Sequence, residues 1–251
     1  MSDIIKLVAV SIVPGLLWVA YFRKRDLYDP EPYGLIIKTF IAGAFMIIPA
    51  GIIEAPFRGL IANPPSLPIL FLTNVFAIGL VEEFVKYQAV RRVVFNHPEF
   101  NEPVDGVIYA ITAGLGFAAF ENALYSISYG FAVGVVRAVV TSLVHASFSG
   151  IIGFNMGIAK FAPAAFRGPI IWRSIMVAAV LHGLYDFLLM TQMMSFPVLV
   201  GVVVLLYAML LGKVRTALKM SPFARRPFAR LRELEAIEAA EEEAEESDEN
   251  R

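Results

Sequence analysis

Seven long apolar segments follow one another along this chain of 251 residues, and they limit the folds that it can adopt. They lie near residues 4–22, 34–54, 68–90, 105–128, 131–158, 170–191 and 195–213. Each is about 19 residues or longer, which lets a helix cross a hydrocarbon core of roughly 30 Å. None alternates in the manner of a membrane β-strand. The segments therefore predict an all-α fold: a polytopic membrane helix bundle of about seven transmembrane helices.

The loops between these segments differ in basic residues, and the difference predicts an orientation. Basic residues concentrate in the odd-numbered loops, with Arg23, Lys24 and Arg25 in the first, Arg91 and Arg92 in the third, and Lys160 and Arg167 in the fifth. The second loop has Arg58 alone. Because short basic loops stay on the cytoplasmic side, we expect the N-terminus outside and the C-terminus in the cytoplasm. The expected location is a membrane that the chain crosses several times.

The composition changes after residue 213. We predict a membrane domain over residues 1–213 and a cytoplasmic part over 214–251, which is first basic and then acidic. Residues 233–251 hold ten of the 22 acidic residues and one of the 21 basic ones. Such a tail is expected to be disordered, and it could dock a cytoplasmic partner. The absence of Cys excludes disulfides and thiolate metal sites, and we expect no nucleic-acid partner.

The third segment contains two adjacent carboxylates, Glu82 and Glu83, with Lys86 one helical turn further on. A single charged residue near the bilayer centre costs roughly 2.5 to 3.5 kcal/mol, so an intramembrane carboxylate indicates a functional site. Lys86 shares a helix face with both glutamates, at i+4 and i+3. A neutralised structural pair is the alternative interpretation for either glutamate singly.

Other ionisable residues fall at a similar depth on neighbouring segments: Glu121, His145, His182 and Asp186, with Tyr125 one turn after Glu121. Each could instead have a structural role. His145 could join two helices, His182 and Asp186 could form an orienting pair, and Glu121 could anchor helix packing. Arg137 lies near a helix end, from which its side chain can reach the membrane surface. Their joint occurrence favours a functional cluster.

Carboxylates beside imidazoles can activate water. Glu82 or Glu83 would act as general base, and His145 and His182 would stabilise the oxyanion that develops on a carbonyl. Asp186 would orient His182, and Glu121 would line the cavity with Tyr125. Alternatively His145, His182 and Glu83 could ligate a metal, so the cofactor prediction is none or one divalent metal such as zinc. The chain has no HExxH motif.

Four stretches of the chain resemble the PrsW family of intramembrane proteases, which is related to the CAAX prenyl-protease superfamily. They are Glu82-Glu83-x-x-Lys86, GFAAFENALY from Gly116 to Tyr125, VTSLVHASFSG around His145, and His182-Gly-Leu-Tyr-Asp186. Two flanking stretches fit as well, YDPEPYG from Tyr28 and EPVDGVIYA from Glu102. The resemblance implies an active site within the bilayer, with the paired glutamates essential and the histidines supporting. It also implies membrane-anchored substrates such as anti-sigma factors, and it leaves open whether catalysis is metal-dependent or glutamate-type.

The function predicted from these features and from the resemblance is that of an intramembrane endopeptidase in a bacterial plasma membrane. The alternative from another class is a proton-coupled transporter or channel, since Glu, Asp and His chains also relay protons. A third hypothesis is a membrane scaffold that recruits partners through the acidic tail. The expected partners of the protease are the lipid bilayer and a membrane-anchored protein substrate, which would reach a polar cavity through a lateral gap.

Overall fold

The computed structural model describes residues 2–225, and it confirms the predicted helix bundle. Within this range seven helices are long and apolar enough to cross a membrane. We number them α1 (Ser2–Arg23), α2 (Tyr33–Ala62), α3 (Leu67–Val93), α4 (Pro103–Tyr129), α5 (Phe131–Phe161), α6 (Ala164–Met190) and α7 (Phe196–Lys219). The described part of the chain contains no strand.

Two helix ends lie further along the chain than the apolar segments predicted. Helix α2 continues to Ala62 in short consecutive pieces, so Arg58 belongs to its last turns and not to a loop. Helix α7 continues to Lys219, six residues past the predicted limit of the membrane domain. The predicted acidic tail lies outside the described residues. Which face is cytoplasmic stays a prediction from the basic loops.

Helix α4 is the centre of the bundle, because almost all of its length is buried against α1, α2 and α5. It begins at Pro103 with a capping box: the Glu102 side chain accepts from the backbone N–H of Asp105, and the Asp105 side chain accepts from the backbone N–H of Glu102. It ends at Tyr129, and one residue, Gly130, separates it from α5. The φ of Gly130 is +94°, a conformation that side chains disfavour, so glycine permits this abrupt reversal.

Small residues let the central helices approach closely. A Cβ added at Gly106 would lie 2.4 Å from the Gly153 carbonyl oxygen of α5, and one at Gly116 would lie 2.1 Å from the Phe40 carbonyl oxygen of α2. Close backbone approach at small residues is the usual basis of helix association in lipid. Large exposed apolar side chains lie instead on the outer helices, as at Leu17, Ile52 and Leu205, where lipid would cover them.

Helix α3 contains a π-helical turn, Asn74–Gly79, directly before the segment that carries the paired glutamates. This turn packs tightly on α6, because a Cβ added at Gly183 would lie 2.5 Å from the Val75 Cα. Such π turns occur often at functional sites. The turn thereby joins the α3 glutamates to the part of α6 that carries His182.

Candidate active site

The ammonium group of Lys86 connects the two glutamates to α5. Lys86 Nζ donates to Glu82 Oε2 at 2.9 Å, to Glu83 Oε1 at 2.8 Å and to His145 Nδ1 at 2.8 Å. These three contacts use all the hydrogens of an ammonium group. The side chain is 1% exposed and lies over the Phe117 ring. The shared helix face predicted for Lys86 and both glutamates is therefore confirmed, and the buried negative charge has a fixed counter-charge.

The contacts of His145 define its tautomer. An ammonium can only donate, so His145 Nδ1 must accept from Lys86 and the ring hydrogen must lie on Nε2. His145 Nε2 lies 3.0 Å from Glu121 Oε2. Both ring nitrogens are thus engaged by protein groups. In this arrangement His145 links Lys86 to Glu121, and it has no nitrogen left for a substrate oxygen.

The imidazole of His182 is held differently. His182 Nδ1 lies 3.0 Å from Glu83 Oε1, and since a carboxylate accepts, the nitrogen donates. Its Nε2 lies 3.5 Å from Asp186 Oδ2 and 3.8 Å from Glu82 Oε2. The ring stacks on Phe148, with centroids 5.3 Å apart. Glu83 therefore orients this ring, a role predicted for Asp186, and Nε2 faces Glu82 and Asp186.

Glu121 forms a partly buried ion pair with Arg137 of α5. Arg137 Nη2 lies 2.9 Å from Glu121 Oε2, and Arg137 Nε donates to Asn122 Oδ1 at 3.1 Å. The guanidinium also lies 3.7 Å from the centre of the Tyr125 ring. Arg137 was predicted to extend toward the membrane surface, but its side chain turns inward to Glu121, because the charge pair and ring contact are available there.

A cavity of about 560 Å³ lies among α2–α6 beside this cluster. Its lining includes five of the six predicted site residues: Glu82, Glu121, His145, His182 and Asp186. Glu83 is behind this wall and has no exposed surface. Tyr125, predicted to line the cavity, does so. The structure thus brings all six residues together from four helices.

The cavity also contains two charged residues that the sequence analysis missed, Glu54 and Arg58 of α2. Glu54 is the last residue of the second apolar segment, and Arg58 was assigned to the loop after it. Charged residues are common at the ends of membrane helices, so neither residue stood out in the sequence. The Glu54 Oε1 atom is buried and has no hydrogen-bond partner. A continuous helix through Arg58, which the sequence did not predict, turns these residues toward the cluster.

The predicted metal ligands His145, His182 and Glu83 are of the types that zinc binds. However, Lys86 Nζ lies between Glu83 and His145, where an ion held by both would have to be. Among the residues that the structure describes, the cavity side chains offer no three ligand atoms within 4.8 Å of one another. This arrangement does not fit a metal on those three residues.

Comparison with known proteins supports an enzyme. Residues 31–211 match the model of the PrsW family intramembrane metalloproteases. A protein named Protease PrsW from Geobacillus kaustophilus is 35% identical over 74% of this chain and 80% of its own length. Those from Bacillus subtilis and Oceanobacillus iheyensis are 32% and 31% identical, over 73% and 85% of this chain and 82% and 96% of their own. No solved structure matches.

The helix bundle, the buried polar cavity and these matches define the chain as an intramembrane protease, a multi-pass hydrolase of the membrane. It belongs to the PrsW family. A protease of this kind acts on a protein substrate in the membrane. The description of the family as metalloproteases is compatible with a divalent metal and specifies no ion.

Proposed function

We propose that the protein cleaves peptide bonds of membrane-anchored proteins in a bacterial plasma membrane, with Glu82 as the base that activates water. One observation carries the choice between the two glutamates: Glu82 lines the cavity, whereas Glu83 lies behind it with no exposed surface. The contacts of Glu82 run through Oε2, to Lys86 and the two histidines. Its Oε1 is therefore the atom available to a water molecule.

The neighbouring residues supply the remaining steps of hydrolysis. Glu82 takes a proton from water as the water oxygen bonds to the scissile carbonyl carbon. His182, doubly protonated, donates from Nε2 to the oxyanion that forms, while Glu83 holds its Nδ1. Glu82 then returns the proton to the leaving amine as the carbon–nitrogen bond breaks. Lys86 keeps Glu82 and Glu83 in position, and Glu121, with Arg137, holds His145.

A substrate segment could reach the cavity from the lipid. Several cavity residues are also exposed on the outer surface, among them Leu124, Tyr125, Leu189 and Met190. Apart from the Tyr125 hydroxyl these side chains are apolar, so the opening suits a hydrophobic segment of a membrane-anchored protein. The family resemblance favours a regulatory substrate of the anti-sigma-factor kind. Glu54 and Arg58 would supply polar contacts to its unwound backbone.

The test is cleavage of a panel of single-span membrane proteins by purified protein in lipid nanodiscs. Glu82→Gln removes the base and preserves the volume of the side chain, so we expect cleavage at least about 100-fold slower with an unchanged melting temperature. Glu54→Gln is the matched control, because it alters a carboxylate that lines the same cavity without contacting Lys86. We expect it to change substrate affinity more than turnover.

Glu83→Gln and His182→Gln complete the series. We expect both to slow cleavage, and Glu83→Gln also to lower the melting temperature, because it removes the negative charge of the oxygen that accepts from Lys86 and faces His182. Cleavage by Glu82→Gln at the wild-type rate would refute the role of Glu82. A parallel set of reactions with a strong chelator tests metal dependence: loss of cleavage that zinc alone restores would overturn the metal-free mechanism.

A further inference from the structure

A second acidic cluster lies at the far end of α4 from the active site. It consists of Asp26 and Glu31, in the loop between α1 and α2, and Asp105 in the first turn of α4. One ligand atom of each residue lies within 4.8 Å of the others, and all three residues are at most 2% exposed. Asp105 precedes Glu121 by 16 residues, or about 24 Å of helix. The cluster is therefore separate from the catalytic residues.

Each of these carboxylates has an unused oxygen atom. Asp105 Oδ2 accepts the backbone N–H groups of Asn101 and Glu102 at 2.6 and 2.8 Å, but Oδ1 has no partner. Glu31 Oε2 accepts from the Tyr109 hydroxyl, but Oε1 has no partner. Neither oxygen of Asp26 makes a hydrogen bond of good geometry. A buried polar atom without a partner is costly, and each of these three neighbouring residues has at least one such atom.

The cluster also forms no ion pair within the described part of the chain, and Lys160, whose charge acts on Asp105 from a greater distance, donates instead to the Phe95 backbone carbonyl. None of the three carboxylates forms an ion pair with a described Lys, Arg or His. Arg23 is close, but its Nε donates to the backbone carbonyl of Glu31. Burial, reinforced by the neighbouring carboxylates, raises the pKa of Asp26 to about 8 and that of Glu31 to about 10. Buried charges normally have a partner, and the described residues provide none within ion-pair distance of this group.

We propose that Asp26, Glu31 and Asp105 bind a hard divalent cation, Mg²⁺, Ca²⁺ or Mn²⁺, which fastens the α1–α2 loop to the start of α4. Three converging carboxylate oxygens without nitrogen or sulfur are a ligand set that these ions prefer. The second oxygens of Glu31 and Asp105 are held by Tyr109 and by backbone N–H groups, as metal-binding carboxylates usually are. Water completes the coordination.

The test uses full-length protein in nanodiscs, first stripped of metal with a chelator and then freed of the chelator. Binding of Mn²⁺ is followed by loss of the free-ion electron paramagnetic resonance signal, with Mg²⁺ and Ca²⁺ as competitors. We expect one tight Mn²⁺ per chain and a melting temperature higher by something on the order of 5 °C at saturation, relative to a monovalent salt of equal ionic strength.

Asp26→Asn should weaken Mn²⁺ binding by more than about tenfold. It should not lower the melting temperature of the cation-free protein near neutral pH, because a neutral amide replaces a carboxyl that burial already keeps largely protonated. Asp29→Asn is the matched control: it removes the same charge three residues away, where the carboxylate accepts from Asn101 Nδ2 at 3.2 Å. It should bind Mn²⁺ as wild type does. The acidic tail is present in every variant, so its weak binding cancels.

Two results would overturn the proposal. In the first, the wild-type protein binds no Mn²⁺ tightly and its melting temperature is the same with and without each of the three ions. That result would mean that Glu31 and Asp105 share a proton instead of binding a cation. The other is Asp26→Asn binding the ion with wild-type affinity. If this variant cannot be purified, Glu31→Gln replaces it. The double variant Glu82→Gln, His182→Ala changes the cavity and leaves the second cluster intact. If this variant still binds the ion, the site lies outside the cavity; if it does not, the ion binds in the cavity and the proposal is wrong.

Discussion

The two acidic clusters of this protein differ in the source of their positive charge. In the active site, Lys86 is bonded to Glu82 and Glu83, and Arg137 is paired with Glu121. At the far end of α4, Asp26 and its two partners are also buried, but no described Lys, Arg or His forms an ion pair with them. Burial is therefore not what distinguishes them. The first cluster is ion-paired with cationic side chains, and the second forms no ion pair within the described residues, so protons or the proposed cation would supply its positive charge.

Because of this difference, we expect the two clusters to respond differently to chelator, dilution and pH. A covalently attached cation cannot be removed by a chelator, by dilution or by pH within the stable range, so the catalytic geometry should persist when the medium changes. A cluster that depends on solution for its positive charge should respond to all three. A chelator would then lower activity by removing the cation of the second cluster and loosening the α1–α2 loop. If Asp26→Asn, which lacks this cation site, still cleaves substrate in the presence of chelator, the chelator does not act on a catalytic metal.

The largest loss of stability is expected when the active-site cluster is deprived of its main cation, so that it resembles the second cluster. Lys86→Met removes the ammonium and leaves two buried carboxylates uncompensated, so we expect a loss of about 3 to 5 kcal/mol in the free energy of unfolding, with loss of cleavage. Thermal or denaturant unfolding in detergent measures it. The double variant Lys86→Met, Glu83→Gln should recover part of the stability, and an unchanged melting temperature in Lys86→Met would contradict the comparison.

A smaller effect is expected at the second cation of the active site. Arg137→Gln removes the pair with Glu121 and the ring contact with Tyr125. Both side chains of the pair are partly exposed, at 20% and 15%, so solvent screens part of the interaction and we expect a loss of about 1 to 2 kcal/mol. Arg137→Lys keeps the charge and should recover some of it. Equal melting temperatures for wild type and Arg137→Gln would show that Glu121 needs no cation.

The pH dependence of stability should come from the second cluster. The folded pKa of Asp26, about 8, exceeds its ordinary value of 3.8, so between these values the folded state holds a proton that the unfolded state releases. The melting temperature of cation-free protein should therefore fall as pH rises from about 4 to about 8. Saturating Mg²⁺ should reduce this slope, and Asp26→Asn should reduce it as well. A melting temperature that rises across this interval without cation would reverse the assignment.

The smallest effect concerns the support of the second cluster. Tyr109→Phe removes the hydroxyl that donates to Glu31 Oε2 and adds one more unpaired oxygen. We expect a loss of about 1 kcal/mol in the free energy of unfolding and weaker Mn²⁺ binding. Tyr87→Phe is a suitable control, since it removes the hydroxyl of another buried tyrosine, outside the cluster. A similar loss in both variants would mean that the hydroxyl has no special role at the cluster.

The sequence predicted the helices well because membrane crossing requires long apolar segments, and length and composition are visible in the chain. It also predicted the Lys86 contacts, because residues three and four apart share a helix face. It could not predict the inward turn of Arg137, nor Glu54 in the cavity, since both depend on which neighbouring helix lies opposite. Asp26 escaped notice for a related reason: it lies about 80 residues before Asp105, and only folding brings the two together.

The π-helical turn of α3 has a consequence for sequence change in this family. A π turn contains one residue more than an α-helical turn of the same length, so it resets the angular phase of every residue that follows. Glu82 and Glu83 come directly after Asn74–Gly79, and their direction depends on that extra residue. Losing one residue there would rotate the glutamates by about 100° against the first half of α3. If Glu82 acts as proposed, the length of this turn matters to catalysis as much as the identity of the acids that follow it.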